Sequence, residues 1–130
     1  MNDRGVIRYI ERAQQINDFS GLRYGNITPT DIDGLIEYRN KAYIFFEIKY
    51  MEAELPFGQR LAMERMVCDT SAKGKRSIAL IAEHGVHDVN KSVPVAQCQV
   101  REYYHCKFRR WMPPKNLITV RELVDLFVEL

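Results

Sequence analysis

Residues 30–50 read TDIDGLIEYRNKAYIFFEIKY. Two apolar runs flank a polar break at Arg39, Asn40 and Lys41, which is the pattern of a β-hairpin. Charges nevertheless interrupt the runs at Asp31, Asp33, Glu47 and Lys49. Side chains alternate along a strand, so Ile32, Gly34, Ile36 and Tyr38 share one face of the first strand. Ile44, Phe46 and Ile48 share the matching face of the second, while Asp33, Glu47 and Lys49 fall on the other. A two-residue loop would set Asp33 opposite Phe46 and spoil both faces. A three-residue loop, Arg39–Lys41, sets Asp33 opposite Glu47 and Asp31 opposite Lys49. The faces therefore predict a loop with an odd residue count, or a bulge.

In that register two carboxylates face each other with about 5 Å between their Cβ atoms. Like charges so close repel, and one pKa rises. A divalent cation between them removes the conflict, and a small open set of oxygen ligands suits Mg²⁺ or Mn²⁺. Lys49 points the same way and could steady a water and offset developing negative charge. Ion, water and cation together fit hydrolysis of a phosphodiester. The competing reading is a solvated outer sheet face with Lys49 as a simple salt-bridge partner.

The chain has 130 residues, which predicts a single domain over 1–130 with a substantial core. No apolar run approaches the roughly 20 residues of a membrane span, so no membrane partner is expected. The opening MNDRGVIRYIERAQQ is charged throughout and does not read as a secretory signal. Cys68, Cys98 and Cys106 are an odd count without a CxxC pair. They predict free thiols in a reducing, cytoplasmic compartment.

Around the hairpin, helical spacing of Val6, Ile7, Ile10, Ala13 and Ile16 predicts an amphipathic helix over 4–17. A short first strand is expected within 22–28, followed by hairpin strands near 32–38 and 42–50. A second helix runs from about Phe57 to Ser71 with Leu61, Ala62, Met66 and either Val67 or Thr70 inward. SIALIAEH reads as a buried strand. From Val95 to Trp111 apolar residues sit on even positions and polar ones on odd, which predicts one buried and one polar face across two strands turning near His105. Thr119 and Glu122 form a capping box ahead of a last helix. The result is an α/β domain, a mixed sheet flanked by helices in the order α-β-β-β-α-β-β(-β)-α.

Asp33, thirteen residues, then Glu47-Ile48-Lys49 on a hairpin between two helices resembles the PD-(D/E)XK nuclease superfamily. The preceding PTDID and the following FGQRLAMERM are similar to it as well. The resemblance covers residues 4–82 and implies a restriction-endonuclease-like fold. It implies Asp33 and Glu47 as metal ligands, the Ile48 carbonyl as a third, and Lys49 as the catalytic lysine. Many members add an acid from the first helix, where Glu11 is the best-placed candidate and Asp18 the second. Gln59 resembles a glutamine that some members place on the second helix. Asp31 remains a rival to Asp33 for the first ligand. The implied activity is Mg²⁺-dependent cleavage of DNA, directed by strand structure or ends rather than sequence, with RNA left open. Cutting both strands needs two sites, which makes a homo-oligomer plausible. The alternative is an inactive nucleic-acid-binding or assembly module on the same fold.

Residues 101–115 carry Arg101, Lys107, Arg109, Arg110 and Lys115 against one acid, Glu102. With tyrosines, Phe108 and Trp111 interleaved, they read as a nucleic-acid-binding ribbon formed by Arg101, Lys107, Arg109 and Arg110. His84 and His87 form an HxxH, but with the nearby cysteines and His105 they match no closed zinc motif well.

Overall fold

The computed structural model describes residues 4–129. The chain divides into a short amino-terminal unit ending at Thr30 and a larger unit beginning at Asp31.

The amino-terminal unit holds one short helix, α1 (Ile10–Gln14), and an isolated bridge between Tyr24 and Ile27. The expected helix over 4–17 shrinks to five residues, none of them buried. Val6, Ile7, Ile10 and Ile16 are all more than half exposed. A short helix without a packed face lacks what normally stabilises it in water. The strand expected within 22–28 is replaced by that single bridge, a turn closed by paired hydrogen bonds between Tyr24 and Ile27.

The larger unit is an open five-stranded mixed sheet with a helix on each face. Its elements are β1 (Gly34–Tyr38), β2 (Ala42–Tyr50), α2 (Phe57–Thr70), β3 (Arg76–His84), β4 (Gln99–His105), β5 (Arg110–Met112) and α3 (Val120–Glu129). The strands lie in chain order; only the β2–β3 pair, joined through α2, is parallel. Ala42, Ile44, Phe46, Ile78, Leu80, Ala82 and Val100 pack with Val120 and Phe127 of α3. Phe45, Ala79, Ile81 and Tyr104 pack with Met63 and Val67 of α2. The two central strands are thus covered on both faces, which is why they read as near-continuous apolar runs.

The hairpin has the odd loop. Tyr38 pairs with Ala42, leaving Arg39, Asn40 and Lys41 between them. Arg39 and Asn40 take φ values of 50° and 60°, and the Lys41 amide donates to the Tyr38 carbonyl at 2.8 Å. A turn with two left-handed residues matches the twist of the strands, and Lys41 is the extra residue that fixes the register. Gly34 pairs with Phe46, where a Cβ would lie 2.9 Å from the Phe46 ring. That close approach is the reason for glycine there. The capping box also forms: Glu122 N–H donates to Thr119 Oγ1 and Thr119 N–H to Glu122 Oε1, both at 3.1 Å.

Three further expectations change. Val67 of α2 is buried as expected and Met66 packs partly against the core, but the other buried α2 side chains are Gln59 and Met63, while Leu61, Ala62 and Thr70 are only half-buried. A polar Gln59 at the head of the i, i+4, i+8 stripe hides it from a hydrophobic count. The long alternation from Val95 is broken by a bulge, because Ile81 pairs with Glu102 but Ala82 with Val100. Arg101 is the extra residue, and it reverses the face parity. Cys98 and Val100 consequently lie under α3, whereas Tyr104 and Cys106 lie under α2. Cys106 thereby meets Cys68 of α2 in a disulfide, with the Cα atoms 5.0 Å apart, and Cys98 alone stays free. The free-thiol argument for a reducing compartment falls away for that pair. Among the described residues no helix is long and apolar enough to cross a membrane.

Candidate active site

Asp33 lies on a bend just before β1, which starts at Gly34 rather than at Ile32, and Ile32 packs with the α2-side cluster instead of sharing a face with Ile36. Glu47 faces α2, since it follows Phe45 on that face by two residues, whereas Asp33 is exposed. Glu47 is only 3% exposed. Lys49 Nζ lies 3.4 Å from Glu47 Oε1. Asp33 Oδ2 accepts the backbone N–H of Ile48 at 2.7 Å. In an extended strand the N–H and C=O of one residue project to the same side. The Ile48 carbonyl therefore also faces the Asp33 side, past the start of β1.

Burial pushes the Glu47 carboxyl up to about 7; the Asp33 charge adds to this, and Asp31 contributes less. The Lys49 ammonium works against it through charge and hydrogen bonding. Glu47 Oε2 is buried with no hydrogen-bond partner. A buried acceptor normally has one, so this oxygen is aimed at something that the protein itself does not supply. A hard divalent cation fits that need: an orphaned carboxylate oxygen, a second carboxylate whose charge acts on it and a carbonyl directed to the same side as that second carboxylate. Among the described residues no three His, Cys, Asp or Glu side chains gather into a metal-holding group. The donor set here is two carboxylates and a backbone carbonyl, which leaves positions for water and substrate.

Gln59, also buried, donates from Nε2 to the Asp31 carbonyl at 3.0 Å. It ties α2 to the strand entry that carries Asp33. Glu11 is exposed on α1, in the amino-terminal unit. Asp18 belongs to the same unit, and its Oδ1 accepts the Ser20 hydroxyl and amide, which lowers its pKa.

The four basic residues of the expected ribbon do not form one surface. Arg101 donates to Glu83 Oε2 and to the carbonyls of Met51 (2.6 Å) and Ala53 (2.8 Å). Its guanidinium is spent on clamping the connector between β2 and α2. Lys107, Arg109 and Arg110 are exposed on the β4–β5 turn. That turn adjoins the start of β3, whereas Glu47 and Lys49 lie toward the ends of β2 and β3. Strand and sheet spacings separate them by on the order of 20 Å. Of the aromatics, Tyr104 is buried, Trp111 donates to Glu64 Oε2 at 3.0 Å, and Phe108 is exposed.

Glu83 was missed in the sequence. It pairs with Lys49 in the parallel register and anchors Arg101. An acid at the end of the buried run SIALIAEH, level with a lysine on a parallel neighbour, is the signal that could have found it. The cysteines weighed beside the HxxH do not complete a zinc set, because Cys106 is cross-linked to Cys68 and Cys98 is buried under α3. No family model, curated protein or solved structure matches the chain.

Proposed function

We propose that this chain is a metal-dependent nuclease of the PD-(D/E)XK type on a restriction-endonuclease-like fold, hydrolysing phosphodiester bonds of DNA. The observation that carries the reading is Glu47: a buried carboxylate with one oxygen unpartnered, Asp33 near enough to raise its pKa and Lys49 at 3.4 Å. Asp33, Glu47 and the Ile48 carbonyl would hold Mg²⁺ or Mn²⁺. When bound, the ion supplies a Lewis acid that offsets phosphate charge and makes water easier to deprotonate. Glu47 is kept by burial poised between its protonated and charged forms near neutrality. Lys49 orients the attacking water and offsets charge that develops on phosphorus-bound oxygens. Gln59 and Arg101 hold the two chain segments that frame these groups.

Phosphate contacts belong on this reading to the carboxyl edge of β2 and β3, with the β4–β5 turn reaching a more distant part of a long substrate. Two copies would serve a double-stranded cut. The test is plasmid cleavage with Mg²⁺ or Mn²⁺ by wild type and by Asp33→Ala, Glu47→Ala and Lys49→Ala. Loss of a well-aimed charge-stabilising group costs about a hundredfold to a thousandfold, so each variant should fall by at least that much. Equal cutting by all four proteins would end the nuclease reading.

A further inference from the structure

Tyr50 and His84 end β2 and β3 and are register partners on the face opposite Glu47. Their rings meet edge to face at 5.4 Å, and Tyr50 meets His87 likewise at 5.7 Å. With the loop after β3 they enclose a cavity of about 420 Å³. This lies within the range of roughly 300–1,000 Å³ for small-molecule pockets. It also opens at the carboxyl end of parallel strands, where open α/β sheets characteristically take ligands.

The hydrogen bonds decide between a metal and an anion. His84 Nδ1 accepts the Val86 amide N–H at 3.1 Å, so the neutral ring carries its proton on Nε2. The Tyr50 hydroxyl bonds His87 Nδ1, and either group can be the donor. A metal-ligating imidazole needs a lone pair at the ligating nitrogen and a donor at the other. His84 has the reverse arrangement, its Nδ1 lone pair being occupied by the Val86 N–H. Lys91 adds an ammonium to the lining. The His84 N–H and the Lys91 ammonium, with the His87 imidazole beside them, favour a phosphate group. Val86, Val93 and the Tyr50 ring give an apolar wall on which a base can pack. Asp88 also lines the cavity; its Oδ1 accepts the Asn90 amide at 3.0 Å, and its other oxygen can accept from a ribose hydroxyl.

We infer that this cavity binds a nucleoside 5′-phosphate group, presented either by a free mononucleotide or by the phosphorylated end of a strand. The inference goes beyond the nuclease reading and does not depend on the carboxylates at 33 and 47. Calorimetric titration of the full chain tests it, using AMP, adenosine, and one oligonucleotide with a 5′-phosphate or a 5′-hydroxyl. The variants are His87→Gln and Lys91→Ala, both of exposed loop side chains outside the core. AMP should saturate, and adenosine should bind at least tenfold more weakly. Each variant should weaken AMP binding by about tenfold, the worth of one hydrogen bond to a charged group. A preference for the phosphorylated oligonucleotide assigns the group to a strand end; equal binding of the two assigns it to a free nucleotide. Absence of saturation by AMP, equal affinity for adenosine, or unchanged affinity in both variants would overturn the inference.

Discussion

Two charged regions of the sheet behave in opposite ways. At the carboxyl end of β2, Glu47 is almost wholly buried on the α2 face, with Lys49 half-buried beside it and Asp33 exposed at the entry to β1. At the β4–β5 turn, Lys107, Arg109 and Arg110 stand exposed. The first region carries a desolvation cost that one carboxylate oxygen leaves unrelieved. The second carries almost none. Charge that is solvated can be gathered on a turn for little cost; charge that is buried without full partnering calls for a ligand. The difference separates a candidate for chemistry from a candidate for loose electrostatic contact.

The sharpest way to disturb this contrast is to release the basic turn from α2. The disulfide closes a separation of 38 residues. Chain-entropy reasoning gives such a cross-link roughly 4 kcal/mol. Cys68→Ser should therefore lower unfolding stability in urea by about 2–4 kcal/mol, and a dithiol reductant should do the same to the wild type. Because Glu47 and Lys49 lie at the far end of the strands, cleavage by the folded variant should change less than threefold. A large loss of cleavage would mean that the two regions are coupled.

A smaller effect is expected on the hairpin side. Gly34→Ala places a methyl against the buried Phe46 ring, and overpacking of this kind costs about 1–3 kcal/mol. The shift should appear in thermal unfolding. It should be accompanied by weaker divalent-cation binding, since Asp33 is the adjacent residue. Unaltered stability would show that the ring moves freely and that the register is less tightly set than the pairing implies.

The smallest effect belongs to the basic turn itself. Lys107→Ala and Arg109→Ala should each reduce the salt slope of DNA affinity by about one where they contact phosphate. Stability should stay within about 0.5 kcal/mol, as is usual for exposed side chains. An unchanged slope in both variants would remove the turn from the binding surface and leave the carboxyl edge of β2 and β3 as the place where phosphates are met.

The hairpin was legible because two constraints had to agree. Alternation fixed which residues share a face, and the charges excluded the even loop. The result was a three-residue turn between Tyr38 and Ala42. The capping box at Thr119 was legible because its hydrogen bonds are local. The bulge at Arg101 was not, since one extra residue in a ladder leaves no mark in a pattern of alternating side chains. The disulfide was hidden by the same event, which turned Cys106 to the face of Cys68. The amino-terminal helix failed for a different reason. Its apolar spacing is helical, yet its side chains find nothing to bury against.

The direct test of the central claim is thermal unfolding of wild type and Glu47→Gln across pH, with and without Mg²⁺. The folded Glu47 carboxyl titrates at about 7, against 4.5 for an ordinary one, so the folded state holds that proton more tightly. Its contribution to stability is present in full below pH 4.5 and lost as pH rises through about 7. The loss is on the order of 3 kcal/mol at 1.36 kcal/mol per unit. Wild type should lose this stability on going to pH 8 and regain it with Mg²⁺; Glu47→Gln should do neither. If both proteins respond alike to Mg²⁺ at pH 8, no divalent cation binds at Glu47, and the account fails.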